Sequence, residues 1–289
     1  MSSDYTFRLY RYTPSLPAAV AAMAIFGILT GWHFFMIFRH KSRYFTPFAI
    51  GGVFETVGYF GRVLAHYDTN SIPKYVVQQL LILLAPALFA ASIYMILGRL
   101  IRTIRADHLS LVPLKYLTKI FVAGDCISFL LQMAGGGIQS SGSLKMYDLG
   151  EKIILVGLFI QIAFFGFFII VSIVFNKRLV SNPTPSSLSG MTPWKTYMMV
   201  LYSTSILILV RSIFRVIEFT QGNAGYIISH ELFLYIFDAV LMAITMAIFM
   251  FKYVDGLESI DETASREIPG SHDMMLDTIS ESQMKHGSV

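Results

Sequence analysis

Charge is scarce in this chain. Lys, Arg, Asp and Glu make up 14% of its 289 residues, against about a quarter in a soluble domain. That scarcity argues against an ordinary soluble fold. Cysteine is scarcer still: Cys126 stands alone, so no intramolecular disulfide forms and thiol usage says nothing of compartment. Lys and Arg lie at the edges of apolar stretches and form no basic patch, so nucleic acid is not expected as a partner. There is no Gly-x-x-x-x-Gly-Lys-Ser/Thr phosphate loop, no Gly-x-Ser-x-Gly elbow and no His-Glu-x-x-His helix. His33, His66 and His230 lack ligand spacing. Nothing obliges an enzyme, and no catalytic residue, cofactor or metal ligand is assigned. A cleavable signal peptide is not expected either. The first apolar stretch runs from 15 to 38, longer than the roughly 7–15-residue core of such a signal.

What is abundant is apolar surface. Hydrophobic residues reach 55% and the mean hydropathy is +0.61. Seven stretches are long enough to cross a bilayer: 15–38, 46–66, 76–98, 115–137, 151–175, 196–219 and 229–251. A helical span takes about 20 residues at 1.5 Å each. The expected fold is all-α, a polytopic seven-transmembrane helix bundle over 15–251. By hydropathy alone the charged second and sixth spans stand out least. Arg39, Lys41 and Arg43, then Arg99, Arg102, Arg105 and Lys115, then Lys177, Arg178 and Lys195 fill three alternate loops. The other three carry only Lys74 and Lys145. The positive-inside rule then places the N-terminus outside and the C-terminus in the cytoplasm, although Arg8 and Arg11 in the outer tail of 1–14 run against it. Residues 252–289 are acidic, rich in Ser, Thr and Gly, and poor in large apolar residues. Such a segment cannot offset its ordering entropy. It reads as a disordered cytoplasmic tail, either a plain solvated trailer or a kinase substrate at Ser265, Ser271 or Ser280.

Ionised residues inside the spans are the informative minority. A charge at the bilayer centre costs roughly 2.5–3.5 kcal/mol on insertion scales. Glu55 and Arg62 lie in the second span, Asp125 in the fourth, Arg211, Arg215 and Glu218 in the sixth, and Glu231 and Asp238 in the seventh. Glu55 and Arg62 are two helical turns apart and share a face, as do Asp125 and Gln132, and Glu231 and Asp238. Arg211, Arg215 and Glu218 form an i, i+4, i+7 stripe. The simplest arrangement turns four stripes toward one interior, where three cations meet five carboxylates. By depth, Glu55, Asp125 and Asp238 fall near the midplane. Arg62, Gln132, Arg211, Arg215, Glu218 and Glu231 fall in the outer half, with Gln78 and Gln79 at the outer start of the third span. A polar cavity open to the outside is expected there. Structural pairing within a stripe, Glu55 with Arg62 and Arg211 or Arg215 with Glu218, is the plainer alternative. Asp125 and Asp238 have no basic neighbour on their own stripes, which makes a purely structural pairing less expected for them than for the other carboxylates.

Other signals are local. Pro86 is expected to bend the third helix and free a carbonyl. Gly27-x-x-x-Gly31 suits internal helix packing. The triplet Gly135-Gly136-Gly137 is expected to terminate the fourth helix, and Asn182 through Gly190 reads as a flexible loop.

Several segments together resemble one family. They are Glu55-Thr-Val-Gly-Tyr-Phe-Gly-Arg62; Gln79 through Leu-Ala-Pro86 to Tyr94 and Gly98-Arg99; and Asp125-Cys-Ile-Ser-Phe-Leu-Leu-Gln132 with its glycines. Gly157-Leu-Phe-Ile-Gln161, Arg211-Ser-Ile-Phe-Arg215-Val-Ile-Glu218, and His230-Glu231 with Tyr235 and Asp238 complete the set. In this order they cover most of the membrane domain and resemble the fungal RTA-like family, also called lipid-translocating exporters. The resemblance implies seven helices with the N-terminus outside, in a fungal membrane, with the plasma membrane favoured. It adds Gln161 to the polar residues above. It also implies release of sphingoid long-chain bases, resistance to toxic amphiphiles such as amino-sterols, and protoporphyrin uptake. The expected function is a transporter or flippase-like exporter of amphipathic lipids, with Glu55, Asp125, Glu231 and Asp238 available to a cationic head group. The alternative is a seven-helix lipid sensor signalling through its inner loops and tail.

Overall fold

The computed structural model describes residues 14–67, 71–139, 144–188, 193–221, 225–227, 230–254 and 257. Among these it is all helix and turn. Residues 1–253 form one unit, and of the second, 254–289, only Val254 and Leu257 are described. The tail serines Ser265, Ser271 and Ser280 therefore lie outside the described residues, as do residues 1–13.

Six helices are long and apolar enough to cross a membrane. They are α1 (Leu16–His40), α3 (Ile72–Thr103), α4 (Leu114–Gln139), α5 (Leu144–Ser181), α6 (Trp194–Thr220) and α7 (Glu231–Phe251). Helix α2 (Thr46–Tyr67) is 22 residues long but is not among the six. Its composition reflects its neighbours. A Cβ on Gly51 would lie 2.7 Å from the Phe89 ring, one on Gly58 2.5 Å from Ile82, and one on Gly52 2.4 Å from the Thr30 hydroxyl. Small residues there let α1 and α3 approach closely.

Consecutive helices pack in sequence, and α7 returns to α1. Helix α3 also touches α5 and α6. It is the central element, with 67% of its most apolar window buried against 28–50% in the other five spanning helices. Pro86 lies inside it and has no N–H to give the Ile82 carbonyl. Helix α7 is not uniform. It begins as a short α-turn, widens into a π-segment at Tyr235–Val240 and returns to α over Leu241–Phe251. Nothing in the hydropathy pattern announces that widening.

Three local expectations are corrected. Helix α4 continues through the glycine triplet to Gln139. Gly135 does not terminate it but serves contact: a Cβ there would meet the Gly150 carbonyl oxygen at 2.6 Å. Gly27 faces Thr56 at van der Waals distance, but Gly31 has nothing within 4 Å, so the pair is not an internal packing motif. The segment from Asn182 is anchored as far as Leu188. Thr184 Oγ1 donates to the Ile104 carbonyl at 2.8 Å, Pro185–Leu188 forms a helical turn, and Trp194 Nε1 donates to the Ser187 carbonyl at 3.1 Å.

Two candidate polar sites either side of α3

The stripe on α6 forms as its spacing requires. Arg215 donates from Nη1 to Glu218 Oε2 at 2.6 Å and from Nη2 to Asp238 Oδ2 at 2.6 Å. Arg211 donates from Nε to Asp238 Oδ1, and from Nη2 to the Ile82 carbonyl at 2.7 Å. That carbonyl is the one Pro86 leaves without its helical donor. An arginine from α6 thus satisfies the break in α3. Arg211, Arg215 and Asp238 are at most 1% exposed. Asp238, for which structural pairing was the less expected outcome, is paired on both oxygens. Its counterions come from another helix, so its own stripe could not show them.

Arg62 is also paired differently from the expectation. It turns away from Glu55 and donates to Glu231 Oε1 from Nη2 at 2.8 Å and to the Tyr235 hydroxyl from Nε at 3.2 Å. Both Glu231 oxygens also accept from the Ser15 N–H at 3.0 Å. A carboxylate beside the first turn of α1 complements the helix dipole. His66 Nδ1 lies 2.7 Å from the Pro14 carbonyl. The starts of α1 and α7 and the end of α2 are so tied together.

Glu55 is left over. It is 0% exposed and neither carboxylate oxygen is hydrogen-bonded. Arg211, Arg215 and Asp238 act on it at longer range. Tyr59, one turn on, is likewise 0% exposed with a hydroxyl that makes no hydrogen bond. Among the described residues the centre is an ionic network of Arg211, Arg215, Asp238 and Glu218, and the loops that would rim an outward-facing cavity lie partly outside the described residues. The wetter side chains are Glu218 and Glu231, 10% and 17% exposed.

The stripe on α4 does not join this network. It faces α3 and α5, because α4 packs between them. Gln132 Nε2 donates to Ser128 Oγ at 2.9 Å and to Gln161 Oε1 at 3.0 Å, and Ser128 Oγ donates to the Gly157 carbonyl at 2.6 Å. Gly157 and Gln161 belong to α5, so this is a polar ladder between two closely packed helices. Asp125, at 5% exposure, lies one turn before Ser128. The Tyr94 hydroxyl of α3 faces it, yet neither Asp125 oxygen makes a hydrogen bond of normal geometry. Phe168, Phe121 and Phe165 surround Tyr94 with ring centroids at 4.5, 5.3 and 6.1 Å. The one shared interior expected from the sequence is thus two sites separated by α3. Gln79 is half-buried on α3 and joins neither among the described residues.

Tyr59, Tyr94, Ser128 and Tyr235 stand out in the sequence only as members of the family motifs, not as site residues. Tyr59 and Tyr235 stand four residues after Glu55 and Glu231, and Ser128 three after Asp125, so helical spacing carried that signal. Tyr94 gave no such sign. Apolar grooves flank the bundle. One of 260 Å³ lies between α1 and α7, with Ala22, Phe26 and Tyr235 in its wall. Another of 310 Å³ lies between α2 and α3 and includes Gly61 and Gln78.

Comparison with known proteins agrees with these motifs. Residues 48–256 match the family described as RTA1 like protein. The chain is 38% identical to protoporphyrin uptake protein 1 of Saccharomyces cerevisiae, over 86% of this chain and 92% of that one. It is 37% identical to protein RTA1 of the same yeast, over 86% and 85% of the two chains. Identity to the yeast sphingoid long-chain base transporter RSB1 is 26%, over 82% and 71%. No solved structure matches the chain. A match spanning this much of the membrane unit, with the charged stripes inside it, makes the chain a member of the RTA1-like protein family.

Proposed function

We propose that this protein moves an amphipathic molecule with a cationic head group across a membrane, and that Asp125 receives the head group. The carrying observation is Asp125 itself. It is buried, lacks a normal hydrogen bond, and faces Tyr94 within an aromatic cluster, in the α3–α4–α5 site rather than among the arginines. A buried carboxylate without donors is costly unless a cation or proton compensates it. Aromatic rings add attraction for an ammonium group. Apolar grooves along the bundle suit the ligand's hydrocarbon body.

The relatives support an amphipathic cargo in general, since two are named for protoporphyrin uptake and for sphingoid long-chain base transport; of these two, the sphingoid base is the one with a cationic head group. In this reading α2 is a seventh span, the N-terminus is outside and the C-terminus cytoplasmic. The protein acts in the plasma membrane as a carrier, not an enzyme, and gives resistance to toxic amphiphiles. Movement is downhill or ion-coupled.

The test is transbilayer movement of fluorescent sphingoid-base and phospholipid analogues in liposomes holding the purified protein. The expected result is protein-dependent movement of the sphingoid-base analogue that is lost in Asp125→Asn. Full movement in a folded Asp125→Asn protein would refute the head-group role. No movement of any analogue would refute transport and return the sensor reading to first place.

A further inference from the structure

We infer that Glu55 is a proton-binding site whose occupancy decides which carboxylate holds the two buried arginines of α6. Charge accounting leads there. Arg62 is matched by Glu231, while Arg211 and Arg215 are matched by Asp238 and Glu218. Three arginines meet three partnered carboxylates, and Glu55 is a fourth carboxyl with no arginine of its own. It has no solvent exposure and no hydrogen bond. A carboxylate in that position would be an uncompensated charge in a low-dielectric interior, which a proton removes.

Among the described residues, Arg211 and Arg215 are the cations that act on Glu55 from a distance, both are already engaged by Asp238, and Arg215 Nε is buried without a hydrogen-bond partner. From α2 itself come Tyr59 and Arg62, and Arg62 is turned to Glu231. From α3 comes the Ile82 carbonyl, held by Arg211. From α6 come Arg211, Arg215 and Glu218, and from α7 come Asp238, Glu231 and Tyr235. Helix α1 contributes Phe26, stacked on Tyr59 at 5.3 Å, and Thr30 behind Gly52. Its His33 is engaged with the Met246 carbonyl at 3.1 Å.

The chemistry is a single proton exchange. The O–H bond of the Glu55 carboxyl breaks, its electron pair stays on oxygen, and the proton passes to water on the side of the more exposed Glu218 and Glu231. The new carboxylate then competes with Asp238 for Arg211 and Arg215. The elements that would yield are already loosened. Arg211 spans the Pro86 break in α3, and Asp238 sits in the π-segment of α7. π-Segments recur at functional sites. Reprotonation restores the network seen here. Coupling of this exchange to cargo movement rests on the transport reading above, whereas proton binding by Glu55 does not.

The test is infrared difference spectroscopy of the full-length protein in lipid, titrated across pH. It follows the C=O stretch that only a protonated carboxyl gives. In an Asp125→Asn background, which removes the other buried carboxyl without a hydrogen bond among the described residues, the expected result is a titrating band that is lost when Glu55→Gln is added. Glu55→Asp should keep the band and shift its frequency, and that shift decides the matter if Glu55→Gln does not fold. A titrating band unchanged in Glu55→Gln or Glu55→Asp, or no such band at any pH, overturns the proposal. In liposomes, Glu55→Gln should also lose the response of flux to a pH gradient. If the wild type moves no cargo, the transport reading fails while the infrared result stands on its own.

Discussion

Asp125 and Asp238 look alike as residues, each an acid in an apolar helix without a basic neighbour on its own face. The structure separates them. Asp238 is gripped by Arg211 and Arg215, so removing its charge strands Arg211, which keeps only the Ile82 carbonyl, and leaves Arg215 with Glu218 alone. Breaking a buried pair from one side costs about 3–5 kcal/mol. Asp238→Asn is therefore expected to aggregate or unfold at markedly lower temperature in detergent, which a thermal denaturation series reads directly. The same series should show Gln132→Leu only slightly affected. Gln132 makes neutral hydrogen bonds to Ser128 and Gln161, and interhelical bonds in membrane proteins average about 0.6 kcal/mol. A Gln132→Leu protein as unstable as Asp238→Asn would contradict this ranking. Loss of function in Asp238→Asn thus reports on folding first, whereas Asp125→Asn addresses the cargo more directly.

Helices here meet through glycine faces and tolerate irregularity where another helix repairs it. The α4–α5 contact shows the first point. A Cβ at Gly135 would lie 2.6 Å from the Gly150 carbonyl oxygen, and backbone on both sides leaves little room to give. Overpacking of this kind costs about 1–3 kcal/mol. A Cβ added at Gly166 on α5 would have nothing within 4 Å, and Ala is favoured over Gly in a helix by about 1 kcal/mol. Gly135→Ala should lower the unfolding temperature while Gly166→Ala leaves it unchanged or raises it. Equal effects would mean the α4–α5 interface is looser than the structure shows. The second point lies in α3 and α7, where Pro86 and the π-segment interrupt regular hydrogen bonding beside the same arginine cluster.

At the scale of the whole molecule, the basic loops give a directional prediction. Cys126 is the chain's single cysteine and is exposed on α4, so a Cys126→Ser background is free of thiols. Reporter cysteines at Lys41 and Lys145 should then react from opposite sides, Lys145→Cys with an impermeant reagent outside intact cells and Lys41→Cys only after permeabilisation. Labelling of both from the same side would leave an even number of crossings between them and remove α2 from the spans. The ring of helices closed by α7 against α1 makes α2 a structural member of the bundle in either case.

Helical membrane character, the approximate helix limits, the charged residues that had to be buried and the family are all legible along the chain. Each of these depends on neighbours along the chain: a run of apolar residues, a seven-residue spacing, an ordered set of motifs. The tertiary structure alone decided which charge meets which. Arg62 chooses Glu231 on α7 over Glu55 on its own helix. Arg211 finds a carbonyl exposed by a proline on α3, and the α4 stripe turns to α5 instead of the arginines. Ion pairing acts across a few ångströms of space, and in a helix bundle those ångströms separate residues far apart in the chain. Helical periodicity fixes the face a side chain occupies, but only packing fixes what that face meets.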